Sequence, residues 1–202
     1  MKLYFRLLLL WLNLRKTSNI TVDDTSVFHS RVWPTDLDFN GHMTNTRYAN
    51  LFDLSHIQLF SQLGLIPTLK QKRWSPVINA RTISYFKELS PFEAFTVTSR
   101  LIYWDRNYFY MEQRILNQAG KTSAISYSRE LLVDKSNSSS KGIVSFKDAL
   151  IEAHKVGGVS VSQARKDFDS HSIFDSPEIP EHIKHWKETL SIQKKMAKSQ
   201  HG

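Results

Sequence analysis

Residues 36–63, "DLDFNGHMTNTRYANLFDLSHIQLFSQL", join a cluster of polar side chains to a long apolar pattern. After position 46, one set of side chains recurs every three or four residues, the spacing of one helix face. These are Tyr48, Leu51, Phe52, Ser55, Leu59 and Leu63. Thr44 and Asn45 are both types that cap helix starts, with Asn45 favoured, and Gly64 is a type that ends helices. The stretch therefore predicts a buried helix over residues 46–63.

The rest of the chain predicts an antiparallel sheet. One stretch before the helix is rich in β-branched and aromatic residues, and four stretches after it alternate in polarity as strands do. They are Ser26–Trp33, Val77–Leu89, Phe95–Asp105, Asn107–Gln118 and Ser123–Asp134. Shorter helices are predicted over residues 145–157 and 181–199. A long apolar helix and a curved antiparallel sheet can bury each other's apolar faces, so the predicted fold class is α+β.

The composition fits one folded domain with extensions. The 202 residues are 41% hydrophobic and 12% aromatic, which is enough to fill a core. There is no cysteine, which excludes disulfides, a thiolate nucleophile and a cysteine-based zinc site, and fits a reducing compartment. The formal charge of +8 comes without a nucleic-acid-binding motif, so we expect no nucleic acid partner.

The two ends of the chain predict helical extensions. We divide the chain into an amphipathic segment over residues 1–18, a domain over residues 19–150 and a C-terminal helical extension over residues 151–202. The N-terminal segment has a broad apolar face opposite basic side chains, and its unbroken apolar run, Leu7–Leu12, is too short to span a membrane. It can pack on the protein itself or contact a membrane surface through residues 1–16, and we expect a cytoplasmic protein in both cases.

The polar cluster before the long helix contains residues suited to attack on a carbonyl group. Asp38 can act as nucleophile or general base, and His42 can orient water or transfer a proton near neutral pH. Asn40 can donate a hydrogen bond to a developing oxyanion, as can the free N–H groups at the helix start. Asp53, about two turns into the helix, can orient a water molecule from the side.

Each of these residues also has an ordinary structural explanation. Asp38 beside Gly41 suits a turn, and a single histidine such as His42 is more often hydrogen bonded within a fold than catalytic. Asp36, Asp38 and His42 could ligate a metal, but the other histidines supply no matching second cluster, so we expect no metal site. The sequence has no serine elbow and no glycine-rich nucleotide loop, so we also expect no cofactor.

Residues 33–48, "WPTDLDFNGHMTNTRY", resemble the active-site segment of hotdog-fold thioesterases of the 4-hydroxybenzoyl-CoA thioesterase class. The same run is similar to the "DLDxNxHVNN" segment of plant acyl-carrier-protein thioesterases. The likeness is greatest to bacterial proteins of the thioesterase superfamily member six type. It covers much of residues 28–134, including Asp53, "SPFEAF" and "WDRNYFYMEQR". Thr44 stands where these families usually have an asparagine.

This resemblance implies a hotdog fold, in which a curved antiparallel sheet wraps a long central helix. It implies an enzyme of fatty acid metabolism that hydrolyses acyl-CoA or acyl-carrier-protein thioesters, with CoA only as part of the substrate. Because relatives place their sites at subunit interfaces, a homodimer or homotetramer is expected. The implied catalytic residues are Asp38, Asn40, His42 and Asp53, and the implied substrate contacts are Thr44, Asn45 and Tyr48. Two alternatives are an enoyl-thioester hydratase and a non-catalytic protein that binds acyl lipids or membranes.

Overall fold

The computed structural model describes residues 19–136, 142–166, 168 and 172–199. The helices are α1 (Asn45–Gln62), α2 (Ile66–Lys72), α3 (Phe146–Lys155) and α4 (Glu181–Ser199). The strands are β1 (Ser26–Arg31), β2 (Trp74–Tyr85), β3 (Ala94–Trp104), β4 (Phe109–Asn117), β5 (Thr122–Asp134) and β6 (Ile143–Val144). Single 3₁₀ turns lie at Pro34–Asp36 and Gln163–Arg165. The predicted N-terminal amphipathic helix lies outside the described residues.

One antiparallel sheet holds the strands in the order β1-β3-β4-β5-β2, with β6 paired to the end of β5. Strands β3, β4 and β5 form the predicted meander, and β2 pairs along almost the whole of β5. Strand β2 is therefore one edge of the sheet within the described part of the chain. A register shift between Ile78 and Ala80 puts a bulge near the middle of this edge strand.

Helix α1 lies across the sheet and is the centre of the core, as the apolar periodicity predicted. All six residues of the predicted face are buried. The first half of α1 packs Tyr48, Leu51 and Phe52 against one apolar cluster, and the second half packs Leu59 and Phe60 against another. The helix thus separates two apolar compartments of the core.

Buried polar side chains hold the middle of α1 against the sheet. The side-chain amide nitrogen of Gln113 on β4 donates to the Phe52 carbonyl at 2.6 Å and to Ser55 Oγ at 2.8 Å. Ser99 on β3 donates its hydroxyl hydrogen to the same Ser55 Oγ at 2.9 Å. Since unpaired buried polar groups are costly, these bonds fix the register of the helix on the sheet.

Two features directly after α1 differ from the sequence prediction. Helix α2 was not predicted, because its seven residues are too few to show a periodicity; it begins with Ile66, and Pro67 follows in the first turn, where proline is tolerated. Strand β2 starts at Trp74 rather than at residue 77 and ends at Tyr85 rather than at residue 89. The regular pairing ends there, because the N–H groups of Phe86 and Lys87 both donate to the Ser123 carbonyl, and the chain then reaches Val32 after β1, where the Phe92 N–H donates.

The C-terminal segment packs against the domain with buried apolar side chains. Phe174 is fully buried, and its carbonyl accepts a hydrogen bond from the indole N–H of Trp104 at 3.0 Å. Ile183 of α4 is buried in a separate cluster with Ile102 and Tyr110. No helix within the described part of the chain is long and apolar enough to cross a membrane.

Candidate active site

The polar cluster before α1 folds as a closed loop. Leu37 and Met43 form an antiparallel bridge across it, and the Asp38 N–H donates to the His42 carbonyl at 2.9 Å. Gly41 has a φ of +79°, a left-handed conformation that glycine adopts without steric cost. The loop therefore brings residues 38 and 42 together at its neck and exposes the residues between them.

The Asp38 carboxylate is held by the backbone on one side only. Its Oδ1 atom accepts hydrogen bonds from the N–H groups of Asn40 at 2.8 Å and His42 at 3.3 Å. The Oδ2 atom accepts no hydrogen bond from any residue that the structure describes. The turn therefore orients the carboxylate, and one carboxylate oxygen stays available for a ligand. Asp38 can thus be both a turn residue and a catalytic residue.

His42 is paired with a carboxylate that the sequence did not indicate. Its Nε2 atom lies 3.0 Å from Oε2 of Glu88, in the segment that follows β2. The His42 side chain is partly exposed and that of Glu88 is mostly exposed, and Glu88 has no motif or spacing that would single it out in the sequence. A carboxylate at this distance can fix the orientation of the imidazole ring.

These side chains open onto a polar cleft of about 390 Å³ at the start of α1. The cleft lies between the loop, the first turn of the helix and the end of β2. Its lining residues are Asp38, Asn40, His42, Met43, Asn45, Tyr48, Tyr85, Phe86, Lys87 and Glu88. The structure thus brings together five of the seven sequence-predicted site residues.

The start of α1 supplies hydrogen-bond donors to the same cleft. Thr44 is the N-cap residue, with extended backbone and without a side-chain capping bond, so the preference for Asn45 as the cap was wrong. Asn45 is instead the first helical residue and lines the cleft. The backbone N–H groups of Asn45 and Thr46 donate no backbone hydrogen bond within the described chain. Such free N–H groups favour an anion or an oxyanion.

Tyr48 and Asp36 support the site in different ways. Burial raises the pKa of Tyr48 to about 12, so its phenol stays protonated at neutral pH. Asp36 is fully buried, accepts the Trp33 N–H at 2.9 Å and lies 3.6 Å from Arg47 Nε. These contacts give Asp36 a structural role below the cleft.

Asp53 lies away from this cleft. Its Oδ1 atom accepts a hydrogen bond from Nη1 of Arg81 on β2 at 2.7 Å. It lines a separate, largely apolar cavity of about 530 Å³ with His56 and Glu130. Thr44 also lies outside the cleft lining. Within one chain, the structure therefore does not place Asp53 beside Asp38, and its catalytic role stays a prediction.

Comparison with known proteins identifies the family. Residues 32–187 match the thioesterase-like superfamily, which is more than half of the chain. The chain belongs to this superfamily. Protein THEM6 from Danio rerio is 27% identical over 197 residues, covering 96% of this chain and 85% of that protein. Membership confirms the family that the residues 33–48 resemblance indicated.

Solved structures agree on the fold. A hypothetical protein from Staphylococcus aureus in complex with CoA covers 81% of this chain and 100% of its own, with 15% identity and a TM-score of 0.58. A mutant of 4-hydroxybenzoyl CoA thioesterase complexed with 4-hydroxybenzoyl CoA covers 64% of this chain and 97% of its own, with 13% identity and a TM-score of 0.57. The predicted hotdog fold of class α+β is thereby confirmed.

Proposed function

We propose that this thioesterase-like protein hydrolyses acyl-CoA or acyl-carrier-protein thioesters to a free acid and a thiol. The observation that carries the proposal is the oriented Asp38 carboxylate, with one available oxygen, beside free N–H groups at the start of α1. One solved structure of the same fold contains CoA and another contains 4-hydroxybenzoyl CoA, which supports the same substrate class. The reaction needs no cofactor beyond the CoA of the substrate.

The geometry supports a simple division of roles. Asp38 Oδ2 either takes a proton from the attacking water, or attacks the thioester carbonyl itself, which expels the thiolate and leaves an acyl anhydride that water hydrolyses to the free acid and the restored carboxylate. The N–H groups of Asn45 and Thr46, near the positive end of the helix dipole, stabilise the oxyanion that develops on the carbonyl oxygen. His42, oriented by Glu88, positions the water or protonates the leaving thiolate. Asn40, on the cleft wall, contacts the thioester.

We further propose that two chains pair through β2. This strand is twelve residues long, is the edge of the sheet within the described residues, and exposes Val77, Ile78 and Tyr85. Long exposed edge strands with apolar side chains readily pair with another chain. A homodimer related by a two-fold axis requires the two β2 strands to run antiparallel.

Antiparallel pairing of β2 would complete the site. The cavity that contains Asp53 borders the start of β2 at Pro76 and Ile78, whereas the Asp38 cleft borders its end at Tyr85. In an antiparallel pair, the start of one strand lies beside the end of the other. The cavity of one protomer would then continue the cleft of its partner, and Asp53 would reach the site from across the interface.

A charge on the β2 edge is expected to break the dimer. Val77→Asp places a carboxylate where the second β2 strand pairs, so the variant should be monomeric at concentrations where the wild-type chain is dimeric. Val27→Asp is the matched control, because Val27 is 44% exposed and Val77 is 40% exposed, and Val27 lies on β1 at the opposite edge. Light scattering after size-exclusion chromatography measures the masses. A monomeric Val27→Asp with a dimeric Val77→Asp would contradict pairing through β2.

The test of the activity is thiol release across a panel of acyl-CoA chain lengths, followed with a colorimetric thiol reagent. Turnover of at least one thioester is expected, with acyl-carrier-protein thioesters tested in parallel. Crotonyl-CoA in the panel separates a hydratase, which would remove the enoyl absorbance without releasing thiol. Binding without thiol release across the panel would instead indicate a non-catalytic acyl-lipid-binding protein.

Location and pathway complete the proposal. A cytoplasmic protein of fatty acid metabolism is consistent with the cysteine-free sequence and the acyl thioester substrate. The basic, amphipathic pattern of residues 1–16 would add peripheral contact with membranes, where acyl chains are abundant. Co-sedimentation with anionic vesicles, with and without these residues, tests the membrane contact.

A further inference from the structure

A buried histidine and a buried glutamate face each other under α1. His56 on α1 is 9% exposed and Glu130 on β5 is 0% exposed. Nδ1 of His56 lies 3.4 Å from Oε2 of Glu130, and Oε1 of the same carboxylate accepts the Ser128 hydroxyl hydrogen at 2.8 Å. The pair has no part in the Asp38 cleft, and nothing in the sequence pattern pointed to it.

Part of this pair is left without a hydrogen bond. His56 Nε2 is buried and has no hydrogen-bond partner among the residues that the structure describes, whereas the polar contact of Glu130 Oε2 is the 3.4 Å ion pair with His56 Nδ1. A buried polar atom without a partner costs free energy, so such atoms in a folded protein usually serve a ligand or water. Both side chains belong to the wall of one cavity, which makes a ligand in that cavity the natural partner.

The cavity around the pair has the character of an acyl-chain site. Its volume is about 530 Å³, and most of its wall is apolar. The apolar lining residues are Ile57, Phe60, Ile66, Leu69, Pro76 and Ile78. Three of them, Ile57, Ile66 and Ile78, are about 40% exposed in the single chain, so the cavity is open at one side. An apolar chain fits this wall, and the histidine and glutamate add a buried polar point to it, apart from the charged residues Asp53 and Lys70 of the same lining.

The hydrogen-bonding properties of His56 and Glu130 indicate which polar group of a ligand fits beside them. With Nδ1 directed to the Glu130 carboxylate, the neutral imidazole offers a lone pair at Nε2, and the protonated ring offers a hydrogen there. A hydroxyl group can donate to the first form and accept from the second. A carbonyl oxygen can only accept, and a carboxylate would be repelled by Glu130. A hydroxyl is therefore the group that suits His56 in both protonation states.

We propose that this cavity binds the chain of a hydroxylated acyl group, with the hydroxyl hydrogen bonded to His56 Nε2. The inference rests on the proposed thioesterase function and names its substrate class. With β2 strands paired antiparallel, the chain would run from the Asp38 cleft of one protomer into the cavity of its partner. His56 would then act as a specificity residue, and Glu130 as the residue that positions its ring.

The test compares dodecanoyl-CoA with its hydroxydodecanoyl-CoA positional isomers in the same thiol-release assay. The kcat/KM of at least one hydroxydodecanoyl-CoA isomer should exceed that of dodecanoyl-CoA about tenfold or more. The reason is that dodecanoyl-CoA has no hydroxyl group and leaves His56 Nε2 without a hydrogen bond. The preference should disappear in His56→Phe, which keeps the ring contact with Phe60 but has no nitrogen. If that variant does not fold, His56→Gln should show a reduced preference. His29→Phe, at an exposed position of β1, is the control and should keep the wild-type ratio.

The outcomes separate this inference from the proposed function. Turnover of dodecanoyl-CoA without preference for any isomer, or a preference that survives in His56→Phe, overturns the hydroxyl site alone. Absence of thiol release from all substrates overturns the thioesterase proposal. In that case, calorimetric binding of the positional isomers of hydroxydodecanoic acid and of dodecanoic acid to the wild type and His56→Phe still decides the site. If the wild type binds a hydroxy acid more tightly than dodecanoic acid and His56→Phe does not, the result supports the hydroxyl site. Equal affinities of the wild type for the hydroxy acids and dodecanoic acid overturn it.

Discussion

Asp38→Asn is expected to lower kcat/KM for the preferred acyl-CoA by about 10²–10⁴-fold, the usual contribution of a positioned acid–base group. The amide keeps the size of the carboxylate, and its carbonyl oxygen can still accept the N–H groups of Asn40 and His42. The loop should therefore keep its shape while the second oxygen loses its charge and basicity. Initial rates of thiol release, with circular dichroism as the folding check, measure the effect.

Asp24→Asn is the matched control for this substitution. Asp24 is also an exposed turn aspartate, and its Oδ2 accepts both the backbone N–H and the hydroxyl of Thr21 at 2.8 Å. It lies outside the cleft lining, so the same chemical change there should leave kcat/KM near the wild-type value. A folded Asp38→Asn protein with a rate like that of the control would remove Asp38 from the mechanism.

Gly64→Ala is expected to lower the free energy of unfolding by about 3 kcal/mol or more. Gly64 follows α1 with a φ of +73°, where a Cβ is strained by roughly 1–2 kcal/mol. A Cβ at this position would also overlap the backbone carbonyl oxygen of Gly158, which follows α3. Backbone cannot rotate away as a side chain can, so the end of α1 and the segment after α3 would have to separate. Urea unfolding followed by circular dichroism measures the change.

Gly120→Ala separates the steric effect from backbone strain. Gly120 also has a φ of +73°, but no heavy atom lies within 4 Å of the position its Cβ would occupy. This variant should lose only about 1–2 kcal/mol. Equal losses in the two variants would show that the contact between Gly64 and Gly158 contributes nothing to stability.

The sequence was sufficient for those parts of the fold that depend on regular patterns. The buried face of α1, the β3–β5 meander and α4 all follow from side-chain periodicity and were predicted within a few residues. Helix α2 escaped prediction because seven residues contain no repeat. The end of β2 was misplaced because Phe86 and Leu89 continue the apolar pattern after the backbone has left the sheet.

The candidate site also has residues that a local sequence pattern indicates and residues that only the fold brings together. Asp38, Asn40 and His42 are close in the chain, so a local motif was enough to predict that they lie together. Glu88 reaches His42 only through the fold, and His56 meets Glu130 across 74 positions of sequence, between a helix and a strand. Contacts between residues so far apart in the chain produce no regular spacing that a sequence pattern could reveal. Asp53 was predicted as a second carboxylate of the same site, and the structure directs it toward β2 and the proposed interface.

A structure of the Asp38→Asn variant with its preferred acyl-CoA bound would test the central claim most directly. The substitution should slow hydrolysis enough for the intact thioester to be seen. The account predicts that the thioester carbonyl lies within hydrogen-bond distance of the side chain at position 38 and of the N–H groups of Asn45 or Thr46. A thioester carbonyl bound outside the cleft formed by the residue 36–44 loop and the start of α1 would contradict it.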